Sequence, residues 1–256
     1  MAPVPVFVIN LDGSDDRLAS ASAQLGAAGL AFERLPAFDG RSLRPEEFPD
    51  YDARAAQRYM GRPLRGGEIG CYLSHLRAAR RVAEGAAPFG IVLEDDMELV
   101  SGAAEILAQM IGWLSARPID WDLVNLGPNK HKIYTPLAHF GDPQAGHALT
   151  RAHYFPMMTS GLLWSRKGAQ AFVAGHGRIF APVDNYFRHW LTRSDRGLAV
   201  WPPIVRTTGV ESDIFAGNVS RSREGRHPLY GLIKQRWLMT DKILARWHKH
   251  AFRRQT

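Results

Sequence analysis

The stretch PFGIVLEDDMEL, residues 88–99, decides how this sequence is interpreted, because a short apolar run leads directly into three consecutive acids. The apolar residues 89–93 follow a break at Pro88 and are typical of a fully buried central strand. The acids Glu94, Asp95 and Asp96 would then lie at the carboxyl end of that strand. Open α/β sheets bind their ligands at this edge, so we expect the chemistry here.

The three acids predict a metal site. Adjacent carboxylates repel one another, and a divalent cation would offset that repulsion. Because side chains alternate along a strand, Glu94 and Asp96 would point to one side and Asp95 to the other. Glu94 and Asp96 are therefore the predicted ligands of Mg²⁺ or Mn²⁺, which complete their shells with water and substrate phosphates. An ordinary acidic turn after a strand is the alternative interpretation.

Composition favours one large domain with a tail. The chain has 256 residues, of which 45% are hydrophobic, and this is enough for a substantial core. A single cysteine, Cys71, excludes an intramolecular disulfide and suits a reducing compartment. The N-terminus lacks the basic region of a signal peptide and reaches polar residues too early for a membrane span. We therefore expect a cytoplasmic protein.

The net charge of +7 calls for an anionic partner: nucleic acid, acidic lipid or a phosphorylated substrate. Much of the excess positive charge lies after Leu229, where Asp241 is the one acidic residue. As a helix, this segment would place Leu229, Leu232, Ile233, Trp237, Ile243, Leu244 and Trp247 on one arc. Most basic residues would fall opposite, Arg236 excepted. We predict an interfacial anchor at an anionic membrane, the alternative being a helix that packs on the catalytic domain.

Periodicity predicts an α/β order of elements. Strand 4–10, helix 14–29 and extended segment 32–38 form a βαβ opening without the G-x-G-x-x-G of dinucleotide folds. A loop with at most a short helix is expected over 41–65 and an amphipathic helix over 68–84. Residues 128–153 are predicted to be a structureless, substrate-facing excursion. The last strand, 198–205, contains Pro202-Pro203 and is predicted at a sheet edge.

Six motifs in order resemble the family 25 glycosyltransferases, whose bacterial members build lipooligosaccharide and which include relatives of the collagen galactosyltransferases. VINLDGSDDR (8–17) resembles the opening signature, and AFDG (37–40) and GEIGCYLSH (67–75) resemble the next two motifs. LEDD (93–96) resembles the acidic metal motif. SGLLWSRKGA (160–169) and PVDNYF (182–187) resemble the last two.

The resemblance implies a GT-A-like fold with a mostly parallel central sheet flanked by helices, binding a UDP-sugar and Mn²⁺ or Mg²⁺. It implies transfer with inversion at the anomeric carbon, with galactose as the expected sugar and glucose or N-acetylglucosamine as alternatives. Nucleotide binding is implied at the first strand's end and in the later motifs, at Asn10, Leu11, Arg17, Asp39, Glu68, Ser74 and His75. Asp95 would meet the sugar or the ribose.

An inverting transfer also needs a carboxylate that takes the proton of the acceptor hydroxyl. Asp184 is the first candidate, because it matches the motif at 182–187 and opens a predicted helix. Asp213 is the second candidate. For Asp184 the alternative role is helix capping, and for His75 it is a hydrogen-bonded histidine at the edge of the core.

The domain prediction is a catalytic domain over 1–220 and a basic amphipathic tail over 221–256. The predicted acceptor is a surface glycan such as lipooligosaccharide or lipopolysaccharide, reached from the cytoplasm or from the inner face of a bacterial inner membrane. A metal-dependent phosphohydrolase or nucleotidyltransferase is the first alternative. A nucleic-acid-binding module is the second, but no basic stripe with interleaved aromatics crosses the α/β portion, so we expect no nucleic acid partner.

Overall fold

The computed structural model describes residues 4–142, 146–208 and 225–254 and folds them into a mixed α/β structure. The strands are β1 (Val6–Asn10), β2 (Glu33–Pro36), β3 (Phe89–Glu94), β4 (Met97–Leu99), β5 (Leu123–Asn125), β6 (Thr135–Phe140), β7 (His147–Arg151), β8 (Gly161–Ser165), β9 (Gly197–Trp201) and β10 (Val205–Thr207). The helices are α1 (Asp15–Ala27), α2 (Ala53–Met60), α3 (Gly66–Glu84), α4 (Ala103–Ser115), α5 (Arg166–Gly175), α6 (Val183–Ser194) and α7 (Tyr230–Phe252), with a short 3-10 helix at Pro45–Glu47.

The central sheet has the strand order β2-β1-β3-β8-β5-β9-β7-β6. β1 runs parallel to β2 and β3, which confirms the βαβ opening, and β5 runs parallel to β9. β8 is antiparallel to both β3 and β5, and β7 is antiparallel to both β9 and β6. The sheet is therefore mixed. Its strands other than β7 and β8 run in one direction, as expected of a mostly parallel sheet, and β7 and β8 run in the opposite direction.

Each face of the sheet carries its own hydrophobic core, because successive side chains of a strand point to opposite faces. Phe7, Val92 and Trp164 pack on the face that α3, α5 and α6 cover. Val8 and Leu93 pack on the other face, beneath α1 and α4. Strands buried on both sides read as continuous apolar runs, which explains why residues 89–93 stood out in the sequence.

Two sequence predictions about the distal part of the sheet are wrong. Residues 128–153 are not structureless, since they contain the antiparallel pair β6 and β7. The last long strand is not at an edge, because β9 lies between β5 and β7 and the proline pair follows it. The β6–β7 pair forms this edge of the sheet instead. Its sequence has little apolar periodicity, so the pattern did not predict these strands.

The start of α3 packs so closely on the turn after β2 that a side chain does not fit there. A Cβ atom at Gly70 would lie 2.5 Å from the carbonyl oxygen of Phe38 and 2.9 Å from the backbone nitrogen of Gly40. Backbone atoms cannot move aside cheaply, so this contact requires glycine. It fixes the position of the α3 residues that follow.

We expect Gly70→Ala to destabilise the fold by about 1–3 kcal/mol, because the added methyl group overpacks a backbone contact. Gly112→Ala is the matched control, since a Cβ atom there meets nothing within 4 Å. In that helix interior alanine should add about 0.5–1 kcal/mol of stability. Urea denaturation of both variants measures this, and equal stabilities would contradict the close packing.

Helix α7 packs against α2 and α6. Trp237 stacks on Tyr59 with ring centroids 5.4 Å apart, and the buried Asp241 accepts a hydrogen bond from Arg193 at 2.9 Å. The predicted apolar arc is therefore divided, because Trp237 is buried whereas Ile243 and Trp247 are exposed. None of the helices within the described residues has the length and apolar content that a membrane crossing requires.

Candidate active site

A cavity opens at the carboxyl ends of β1 and β3, where the sequence placed the chemistry. Four separate segments line it: the β1–α1 turn, the turn after β2, the first half of α3, and the acids after β3. The lining residues are Ile9, Leu11, Arg17, Ala37, Phe38, Asp39, Gly40, Arg41, Gly67, Cys71, Ser74, His75, Glu94, Asp95 and Asp96. Ile9 and Asp96, which are 87 positions apart in the sequence, thus line the same cavity.

Glu94 is held in position by two hydrogen bonds. His75 Nε2 lies 2.9 Å from Glu94 Oε1, and Thr159 Oγ1 donates to the same oxygen at 2.7 Å. Burial opposes ionisation of this carboxyl group, but the contacts with His75 and Thr159 outweigh it and hold its pKa below the ordinary value. Glu94 is therefore an oriented carboxylate with its second oxygen available to the cavity.

Asp96 lacks such support. Its Oδ1 atom is buried and has no hydrogen-bond partner within the described part of the chain. Burial, together with the charges of Glu94 and Asp95, raises the pKa of Asp96 to about 6. A buried, unpaired carboxylate oxygen beside two other acids is costly unless a cation or proton compensates it.

Asp95 is paired, unlike Asp96. Asn10 Nδ2 donates to Asp95 Oδ2 at 2.8 Å, and Arg17 Nη1 lies 3.6 Å from Asp95 Oδ1. Asn10 is itself fixed by Arg34, whose Nε donates to Asn10 Oδ1 at 2.8 Å. Asn10 does not line the cavity, so the structure places it beneath Asp95, where it positions that acid.

Three α3 side chains of the predicted motif, Cys71, Ser74 and His75, line the same cavity. Ser74 accepts a hydrogen bond from the Phe38 backbone N–H at 2.8 Å and so ties the turn after β2 to α3. His75 is 1% exposed and contacts Glu94, which makes it a core histidine and a partner of a predicted metal ligand at once. Cys71 lies one helical turn earlier on the same face, and burial raises the pKa of its thiol.

Two acids of the predicted nucleotide site have cationic partners. Asp39 lines the cavity and pairs with Arg41 at 2.7 Å, and the hydrogen bonds from Arg41 lower its pKa. Glu68 is absent from the cavity lining, because Arg62 binds its carboxylate at 2.6 and 2.8 Å. Glu68 also accepts from the Arg65 backbone N–H, so the structure gives it a role at the helix start.

Asp184 lies in the first turn of α6, beside the cavity. The N-cap of α6 is Pro182, so Asp184 is not the N-cap residue itself, but its side chain does accept a hydrogen bond from a backbone N–H of the first turn. Its Oδ1 accepts from the backbone and side-chain N–H groups of Asn185, and burial raises its pKa. Asp184 is close enough to interact electrostatically with Cys71, which lines the cavity. Asp213 lies outside the described residues.

The carboxylates fit a hard divalent cation. Asp96 offers an unpartnered buried oxygen beside Glu94, and carboxylate oxygens are the ligands that Mg²⁺ and Mn²⁺ prefer. A second group, Cys71, His75 and Glu94, has ligand atoms within 4.8 Å of one another. Sulfur and imidazole ligands suit Zn²⁺ better, and His75 Nε2 is already in contact with Glu94. Glu94 and Asp96 remain the predicted pair.

Comparison with known proteins identifies the family of this chain. A model of the family described as glycosyltransferase family 25 (LPS biosynthesis protein) matches residues 4–187. The chain belongs to this family. Procollagen galactosyltransferase 1-B of Xenopus laevis is 26% identical over 226 residues, which cover 81% of this chain and 36% of that protein.

Other relatives are named either as galactosyltransferases or as inactive members of the family. Procollagen galactosyltransferase 2 of Homo sapiens is 26% identical over 187 residues, covering 71% of this chain and 29% of the relative. Inactive glycosyltransferase 25 family member 3 of Homo sapiens is 31% identical over 130 residues, which cover 48% of this chain and 21% of that protein. The chain thus spans 36%, 29% and 21% of the lengths of these three relatives.

Sequence reasoning missed Cys71, Arg41 and Thr159 as parts of the site. Cys71 was detectable, because it precedes His75 by four positions and so lies on the same helix face. Arg41 follows Asp39 closely, but an arginine in a loop carries no signal of its own. Thr159 lies 65 positions from Glu94, and no local pattern predicts that contact.

Proposed function

We propose that this protein is a metal-dependent, inverting glycosyltransferase with a GT-A-like catalytic domain, which transfers a hexose from a UDP-sugar to a glycan hydroxyl. The observation that carries the proposal is the meeting of the four motif segments around one cavity. Membership of family 25 supports it independently. Galactose is the proposed sugar, because several relatives are named galactosyltransferases. The proposed acceptor is lipooligosaccharide or a related surface glycan.

The donor diphosphate would lie between Arg17 and the acids after β3. Arg17 lines the cavity and offers a cationic guanidinium, which suits phosphate recognition. Glu94 and Asp96 would hold Mn²⁺ or Mg²⁺, and that ion would offset the charge that develops on the UDP leaving group. His75 and Thr159 keep Glu94 in place before the donor arrives. Asp39 is the proposed partner of the nucleoside.

The proposed reaction is a single displacement. The acceptor hydroxyl oxygen forms a bond to the anomeric carbon while the bond from that carbon to the UDP oxygen breaks, and the configuration inverts. Asp184 takes the hydroxyl proton as the nucleophile attacks. Burial raises its pKa and so makes it a better proton acceptor than an exposed carboxylate.

Incubation with a panel of UDP-sugars, Mn²⁺ and a glycan acceptor tests this function directly. We expect UDP release to depend on both the metal and the acceptor, with UDP-galactose as the best donor. Release of free phosphate without acceptor dependence would instead favour the phosphohydrolase alternative. No turnover with any donor would contradict the proposal and place the chain beside its inactive relatives.

We also propose that α7 attaches the protein to an anionic membrane at the inner face of the cytoplasmic membrane. Leu232, Met239, Ile243 and Trp247 recur on one side of the helix and are 58–67% exposed. Exposed basic residues, including Arg246 and Arg253, accompany this stripe. The opposite side packs on the domain, as the alternative interpretation of the segment expected, and this packing leaves the stripe exposed. An exposed apolar stripe with basic neighbours complements an anionic bilayer.

Sedimentation with liposomes tests the membrane proposal. We expect binding to anionic vesicles, no binding to phosphatidylcholine vesicles, and release at high salt, since each basic residue adds about 1 kcal/mol near such a surface. Trp247→Glu should reduce binding at least about tenfold. Leu43→Glu is the matched control, because Leu43 is also an exposed apolar residue but lies far from α7 in sequence. Equal binding of both variants would overturn the proposal.

A further inference from the structure

A second cavity, here called the basic cavity, shares no lining residue with the donor cavity, which is the cavity at the carboxyl ends of β1 and β3. It has no role in the function proposed above. It is formed by the loop after β5, the segment before β8, and helices α6 and α7. The residues that matter are Lys130, Lys132, Tyr154, Met157, Arg188 and Leu238. Three of them are cationic, and no acidic side chain lines the cavity among the described residues.

Arg188 is the buried cationic residue of the basic cavity. Its side chain is 5% exposed, its Nη2 donates to Asn185 Oδ1 at 2.8 Å, and its Nε has no hydrogen-bond partner among the described residues. The guanidinium lies over the ring of Trp237, 4.5 Å from the centroid, which fixes its plane. A buried donor without an acceptor is costly, and an anion in the cavity that Arg188 lines would offset the charge of this guanidinium.

The charge around Arg188 is only partly compensated from outside the cavity. Asp184 and Asp241 lie within electrostatic reach, but Asp184 accepts from Asn185 and Asp241 accepts from Arg193. Lys130 and Lys132 are exposed and form no ion pair with the described acids within 4.0 Å. Two exposed ammonium groups and one buried guanidinium therefore line the same cavity, and together they favour an anion of more than one charge.

The basic cavity is connected through neighbouring residues both to the donor cavity and to the proposed base. Asn125, at the end of β5, donates to the carbonyl oxygens of Met157 and Met158, and Thr159 donates to Glu94. The cavity wall thus connects to the donor cavity through three consecutive residues. On the other side, Arg188 follows Asp184 by one turn of α6.

We propose that the basic cavity binds a phosphate group carried by the acceptor glycan and so orients the acceptor hydroxyl toward Asp184. A phosphate monoester carries about −1.5 to −2 charges and three acceptor oxygens, which match one guanidinium and two ammonium groups. A carboxylate offers a single charge and two oxygens. The acceptor role rests on the proposed function, but anion binding at this cavity does not.

Methionine-methyl NMR tests the inference without turnover, because Met157 lines the basic cavity and reports on it locally. With ¹³C-methyl-labelled protein and Met157→Leu to assign the signal, we titrate inorganic phosphate, a hexose 6-phosphate and glucuronate. Phosphate and hexose 6-phosphate should shift the Met157 signal saturably, and glucuronate should bind more weakly.

Lys130→Glu/Lys132→Glu should weaken phosphate binding at least about tenfold, because two charged hydrogen-bond donors become repulsive carboxylates. Lys234→Glu/Lys242→Glu changes net charge equally, at α7, and should leave the titration unchanged. No saturable shift, an equal response to glucuronate, or unchanged binding by Lys130→Glu/Lys132→Glu would overturn the inference. Asp96→Asn should keep phosphate binding while losing transfer, so failure of this inference is distinguishable from failure of the proposed function.

Discussion

Replacement of Asp96 by asparagine is expected to lower UDP-sugar turnover at least about 100-fold, because it removes an anionic ligand from the proposed metal site. The fold should survive, since the Oδ1 atom of Asp96 makes no hydrogen bond within the described residues. The variant loses the buried negative charge of Asp96, which repels those of Glu94 and Asp95. The midpoint of urea unfolding should therefore be unchanged or slightly raised. Turnover and unfolding measured on one preparation separate the two effects.

Glu98→Gln is the matched control for Asp96→Asn. Glu98 is an exposed acid two positions away on β4, outside the cavity lining, so its neutralisation removes the same charge without touching the proposed ligand. We expect near-normal turnover from this variant. Undiminished turnover by Asp96→Asn in the presence of a chelator would remove the metal from the proposed reaction.

Replacement of Asp184 by asparagine is expected to lower kcat by ~10²–10⁴-fold, the usual contribution of general base catalysis. The KM for the UDP-sugar should change little, because Asp184 does not line the donor cavity. Asparagine keeps the size of the side chain and an acceptor oxygen for the Asn185 N–H groups, so stability should be nearly unchanged. Steady-state kinetics with a saturating acceptor measure this effect.

Asp52→Asn provides the comparison for a purely structural aspartate. Asp52 accepts from the Ala55 backbone N–H at the start of α2 and lies outside the donor cavity. Asparagine is also a good N-cap, so this variant should keep both stability and rate. If Asp184→Asn instead loses stability but keeps its rate, Asp184 is a structural residue and Asp213 becomes the candidate base.

The sequence predicted the central part of the fold because its signals there are local. The run at 89–93 is apolar on both faces of the sheet, and the α3 stripe repeats at helical spacing, so both elements could be assigned from neighbouring residues. The site followed for the same reason: acids at the end of a buried strand lie at the ligand edge of the sheet. Most of the cavity lining, including Arg17, Ser74 and His75, came from motifs of the family.

Other features depend on contacts that no local pattern encodes. The β6–β7 pair lacks an apolar alternation, so its sequence resembles that of a loop although the pair extends the sheet. Glu68 belongs to the family motif, but Arg62 turns it away from the cavity. The apolar arc of α7 was predicted on helical spacing alone, whereas packing on α2 and α6 decided which residues are buried.

We propose that the cavity at the carboxyl ends of β1 and β3 binds a nucleotide diphosphate through a metal ion held by Glu94 and Asp96. Isothermal titration calorimetry of UDP with the unmodified protein tests this proposal. With Mn²⁺ present we predict saturable binding at one site, lost with a chelator and in Asp96→Asn. UDP binding of equal affinity with and without Mn²⁺, or no binding under either condition, would contradict it.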